Sequence, residues 1–243
     1  NIYLGCEAAG GGWSTSGGTV VRFNLIDGAQ HWGSFDFPLH DAGNFDDITN
    51  TWVQIVLVAQ QRSMKTFDDG TEVADAELGF YPGAMVTGNV AFPHPFSLGA
   101  TMSDYHLDQN IIIGSRADLD SNRHFMGRLA GLQISERALT AAEIACTFAM
   151  GEEYLPVSLT ACQATGTPSL DVTFLGDSTD TSSFHRQVTL NGQATVGVNG
   201  ARFDGDGDYI TIPHFDYAQN ARFSISFWST KEGCTGGIYE YLY

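Results

Sequence analysis

Five aspartates carry the spacing in this chain best suited to chemistry. Asp204-Gly205-Asp206-Gly207-Asp208 has the D-x-D-x-D spacing of a calcium loop, where alternate carboxylates turn toward one hard cation. Asp177 and Asp180, in the acidic, hydroxyl-rich stretch 176–183, are the partners with which such a site would be shared. An EF-hand also needs Gly at its sixth position and a bidentate Glu at its twelfth, and here those positions are Tyr209 and Phe215. The simple reading of the stretch is a polar β-turn; the sharper one is a single shared Ca²⁺. Catalytic patterns are not found. His31, His40, His94, His106, His124, His185 and His214 form neither H-E-x-x-H nor a triad with a G-x-S-x-G serine. A carboxylate set for glycoside hydrolysis has to project from rigid elements. The closest strings, the three aspartates above and Glu152-Glu153, lie on no evident strand. The expectation is therefore a protein that is not an enzyme. Trp13, Trp32, Tyr81 and Tyr105 sit in Gly/Pro-rich stretches. There they serve either as platforms for a sugar or as buried plugs.

What holds such residues in place follows from composition. The chain has 243 residues, 28 glycines, 12% aromatic and only 16% charged residues. That suits short strands and tight turns over long helices, and the length allows one large β domain or two small ones. The formal charge is 11 − 28 = −17. Such a surface repels nucleic acid and anionic membranes. No run approaches the roughly 20 apolar residues of a membrane span. Asn1 does not read as a natural start and no leader is seen, so the chain reads as processed or as a fragment. Cys6, Cys146, Cys162 and Cys234 form no C-x-x-C motif. An even number in a Gly-rich acidic β protein favours two disulfides, an oxidising compartment and an extracellular or cell-surface location. Three pairings are open, of which Cys6–Cys234 with Cys146–Cys162 is preferred. There is no N-x-S/T sequon.

Strands are expected over 1–7, 19–26, 52–59, 110–115 and 129–134, and residues 31–37 alternate weakly. The run Trp52 to Ala59 is almost continuously apolar, as in a strand buried on both faces. Residues 79–110, with Pro82, Pro93 and Pro95, read as a long insertion or irregular edge and not as a strand pair. Thr140 with Glu143 forms a capping box for a short helix near 140–149. Residues 151–169 read as a linker. Beyond it a new pattern starts at Leu170. Phe223, Ile225 and Phe227 then alternate with Ser224, Ser226 and Trp228.

Three stretches together resemble one family. FMGRLAGLQISERALTAAEIAC (125–146) resembles the closing segment of laminin-G-like domains, the pentraxin or concanavalin A-like jelly rolls, although that family often carries Asp-Glu where this chain has Ala130-Gly131. The run from Trp52 through Phe67-Asp68-Asp69-Gly70 resembles the family's core hairpin more loosely. ARFDGDGDYITIP (201–213) with FSISFW (223–228) resembles its opening segment. The resemblance implies an all-β antiparallel sandwich. It also implies a Ca²⁺ held by the opening turn and the closing segment, a set weakened here by Ala130.

The order of these stretches is inverted. Closing motifs at 110–146 precede opening motifs at 170–228. Residues 1–150 thus read as the C-terminal portion of a jelly roll and 170–243 as the N-terminal portion. The second portion belongs to the next repeat, to a strand-exchanged partner, or to the same domain circularly permuted. Two function classes follow. One is a structural or adhesive unit of an extracellular matrix, coat or filament, whose partners are other copies or repeats. The other is a Ca²⁺-dependent module binding glycan or protein. Strands of the two portions paired inside one chain would favour the binding module; separate sandwiches or pairing between chains would favour the assembly.

Overall fold

A computed structural model describes residues 2–7, 18–26, 32–38, 52–63, 74–82, 92–96, 110–115, 119, 124–140, 142–144, 146–147, 166–214, 223–232 and 240–241. In chain order the strands are β1 (Ile2–Glu7), β2 (Gly18–Ile26), β3 (Trp32–Pro38), β4 (Val53–Ser63) and β5 (Ala74–Pro82). Then come β6 (Phe92–Phe96), β7 (Ile111–Ile113), β8 (Met126–Ser135), β9 (Leu170–Val172) and β10 (Thr189–Asn191). The last are β11 (Thr195–Gly197), β12 (Gly200–Asp204), β13 (Tyr209–Ile212), β14 (Phe223–Lys231) and β15 (Glu240–Tyr241). The ladders between these strands are antiparallel, and the described residues form an all-β structure with one short helix within 142–147.

Each sheet contains strands from both portions of the sequence, and in the largest β14 lies between two strands of the first portion. One sheet runs β15-β1-β2-β3, and a second runs β10-β13-β7. The largest runs β11-β12-β8-β14-β4-β5-β6, with β9 also on β8. β14 lies between β4 and β8, with Ile225 opposite Leu57 on one side and Ile134 on the other. β1 meets β15 through Tyr3 opposite Tyr241.

The centre of the large sheet is buried on both faces. Gln54, Ile55 and Val56 are all buried in succession on β4, as are Ser224 through Lys231 on β14. One face joins Ile225 and Phe227 to Ile55, Ile134, Leu132 and Leu170 by register. The other face is covered by the segment after β8: Val56 packs with Leu139 and Ile144. Each such side chain contributes about 1.5–3 kcal/mol on burial. The serines that alternate along β14 therefore meet protein instead of water. Ser224 Oγ accepts the Leu139 N–H at 2.9 Å and donates to the Arg137 carbonyl at 2.9 Å. Gln54 Nε2 donates to Thr147 Oγ1 at 3.0 Å and reaches Ser226 Oγ at 3.5 Å.

Local chemistry sets the start of that covering helix. The Thr140 N–H donates to Glu143 Oε2 at 2.8 Å, and the Glu143 N–H returns to Thr140 Oγ1 at 3.3 Å. This is the expected capping box. Arg137 adds a two-point grip on Glu143 at 2.8 and 3.0 Å. That cation holds the Glu143 carboxyl down at about 2.

Two glycines on β8 answer to close neighbours. A methyl group at Gly127 would strike the Thr230 carbonyl and the Phe125 ring. Gly131 has φ 60° and lies at a register break: Ser226 faces Gln133 while Trp228 faces Ala130. The extra residue is a β-bulge, and there β8 exchanges its neighbour β12 for β9.

Some sequence expectations are corrected. Residues 79–110 include strand pairing: β5 and β6 pair over Ala76–Phe80 with Phe92–Phe96. Prolines argue against a strand only where the ladder needs their N–H, and pairing spares them here. β10 and β11 are not foreseen, because TLN and TVG are short, partly exposed and show no apolar alternation. The expected linker is described only from Gly166 onward, and 64–73 lie outside the described residues.

Candidate functional site

The acidic turn between β12 and β13 is built by its own aspartates. The Asp206 N–H donates to Asp204 Oδ1 at 2.8 Å, and the Asp204 N–H donates to Asp208 Oδ2 at 2.9 Å. Asp208 Oδ1 accepts the Gln193 N–H at 2.5 Å, which ties this turn to the turn between β10 and β11. Asp208 is buried and Asp206 exposed. Burial pushes the Asp208 carboxyl up against those two N–H bonds, and the nearby Asp204 carboxylate pushes the same way.

Asp180 plays a similar part in the loop after β9. Its carboxylate accepts N–H bonds from Asp171 at 3.0 Å, Ser182 at 2.9 Å and Arg186 at 2.7 Å. The Ser182 hydroxyl donates to it at 2.8 Å. Asp177 Oδ1 accepts the Thr179 N–H at 2.9 Å, an Asx-type turn at the exposed end of the loop. Across this loop the Arg186 guanidinium lies 4.3 Å from the centre of the Phe184 ring and donates to the Ser169 carbonyl. Phe184 is 57% exposed.

The five aspartates thus fall in two separately bonded turns. Among the described residues, no three His, Cys, Asp or Glu side chains are grouped to hold a metal ion. The acidic turn does have a neighbour. Met126 faces Asp204 and Ile113 faces Ile210, so the end of β7 and the start of β8 lie beside the turn. The connection between them carries Asp118 and Asp120, which lie outside the described residues. Trp13 and Tyr105 also lie outside them; Trp32 and Tyr81 are placed on β3 and β5 by backbone alone. Cys146 is disulfide-bonded. The side chains of Cys6, Cys162 and Cys234 lie outside the described residues, and so does the pairing.

Sequence reasoning passed over several long-range polar contacts. Gln133 Nε2 donates to Asp171 Oδ1 at 3.1 Å on adjacent strands. Glu232 bridges Arg128 at 2.6 Å and Arg202 at 3.1 Å, two arginines that face each other in the β8–β12 register. No short motif signals these contacts, because the partners are 30 to 104 positions apart. The exposed Phe184 beside Arg186 was legible only as an aromatic in a polar stretch.

The chain matches no family model, and comparison with the curated proteins and with the solved structures gives no match.

Proposed function

We propose that this chain is a non-catalytic recognition module of the laminin-G-like jelly-roll type, extracellular or cell-surface, with the exposed loop around Phe184 as its ligand side. The observation that carries the reading is the position of β14, hydrogen-bonded between β4 and β8 of the same chain. A strand supplied from within the chain takes the place that a second subunit's strand would fill in an exchanged assembly. A circularly permuted single domain explains this pairing and the inverted motif order together. It makes the binding module a simpler reading than the strand-exchanged filament. The turns at Asp177–Arg186 and Asp204–Asp208 are held by buried carboxylates, as loops that present a fixed surface must be. The ligand class is a glycan or a protein segment. Phe184 offers an exposed ring, and the acidic turn at the other end of β8 offers carboxylates for a separately bound Ca²⁺.

The test is binding to a glycan array and to immobilised extracellular-matrix proteins, in 2 parts: with about 1 mM CaCl₂, a level suited to extracellular calcium modules, and with EDTA. Saturable binding lost in EDTA supports the calcium-dependent module. Binding indifferent to EDTA keeps the module and removes the metal. No binding together with concentration-dependent self-assembly overturns the reading in favour of the structural unit.

A further inference from the structure

We propose that β6, the last strand of the large sheet among the described residues, is a closed edge, in which Pro93 and Pro95 strip the main-chain donors from the outer side so that no strand of another copy can add to the large sheet there. In an antiparallel strand, residues i and i+2 direct their N–H and C=O groups to the same side. The β5–β6 register sets Glu77 opposite Pro95, Leu78 opposite His94, Gly79 opposite Pro93 and Phe80 opposite Phe92. Proline has no N–H. The Glu77–Pro95 and Gly79–Pro93 pairs therefore cannot exchange two hydrogen bonds. The ladder to β5 must run through Phe92, His94 and Phe96. The nitrogens of Pro93 and Pro95 then turn outward, and from 93 to 95 the outer side presents carbonyls only.

A third proline gives an independent check. With Leu78 and Phe80 bonded toward β6, Pro82 shares their parity and turns away from β4. It faces Ile55 in that register, yet it deprives the β4 ladder of no donor. All three prolines of these two strands fall where no ladder bond needs an N–H, and both strands keep their pairing.

The opposite edge of the same sheet is blunted by other means. β11 has three residues, and the Gly197 carbonyl already accepts the Gly176 N–H at 3.1 Å where Leu175 bridges Gly197. An unguarded edge recruits neighbouring strands. This sheet meets the hazard with prolines at one end and a crossing segment at the other. The inference rests on the ladder alone and is independent of the ligand proposed above.

The experiment compares the intact chain with a Pro93→Thr/Pro95→Thr double variant by analytical ultracentrifugation over a concentration series. Two restored outward donors are expected to raise the self-association constant by roughly tenfold or more, with unchanged circular dichroism. An association constant equal to that of the intact chain overturns the proposal. Hydrogen exchange on the intact chain keeps it testable should the variant misfold. The His94 amide must exchange slowly; an unprotected His94 amide means the ladder has the opposite parity, and the edge is not closed. Whether the intact chain binds a glycan or assembles bears on the function, and leaves this comparison untouched.

Discussion

Asp180 and Glu143 show how this acidic chain spends its carboxylates on its own backbone. Each receives several hydrogen bonds. For Glu143 the consequence can be read against pH. Its folded-state carboxyl is lowered from 4.5 to about 2, first by the Arg137 hydrogen bonds. A lowered pKa contributes stability that is whole above the unfolded value and lost as pH falls toward the folded one. Thermal melts should therefore weaken between pH 4.5 and pH 2 by more than in a Glu143→Gln variant. An identical pH response in both chains would remove Glu143 from the account. Asp208 runs the other way. Its raised carboxyl means that ionisation costs stability as pH climbs through the ordinary range, offset by the two N–H bonds it accepts. Phe184 is exposed, and its replacement by Ala should leave the melting temperature nearly unchanged. A loss of glycan or protein binding in that variant would place the ligand at this loop; unaltered binding would move it elsewhere on the surface.

At the scale of elements, β8 and β14 carry the greatest constraint. Gly127 lies where a methyl group would meet the Thr230 carbonyl and the Phe125 ring. Gly127→Ala should cost about 1–3 kcal/mol in a urea melt, since the obstruction includes backbone that cannot swing aside. A neutral Gly127→Ala would mean that β8 and β14 stand further apart than described. Ser224 joins β14 to the covering segment through two hydrogen bonds. Ser224→Ala should cost about 1–3 kcal/mol, because the Leu139 N–H is then left buried without that acceptor. Loss of protection at the Leu139 amide in hydrogen exchange would locate the effect. The capping box was legible in Thr140 and Glu143, because both partners lie within one helical turn. The grip of Arg137 on the same glutamate was not, because it depends on the path of the turn after β8.

For the whole molecule, the interleaving of strands predicts the behaviour of a cut chain. A protease site introduced within 151–165 should give two fragments that co-elute under reducing, non-denaturing conditions, since β14, β12 and β9 each pair with β8. Fragments that separate would show that each portion folds alone, as tandem repeats do. Sequence by itself determined the all-β class, because period-two alternation, glycine-rich turns and low charge act over a few residues. It determined most strand positions and the helix start for the same reason. It did not determine that serines alternating along β14 would be buried, nor that prolines in 82–95 would fit a strand pair. Those outcomes depend on what lies on the far face and on which side of a ladder each N–H points. Nor did spacing decide the five aspartates. D-x-D-x-D suits a cation and a hydrogen-bonded turn equally, and only the tertiary structure set Gln193 and Asp204 N–H groups on Asp208. Long-range register, which no local pattern encodes, decided how the two portions combine.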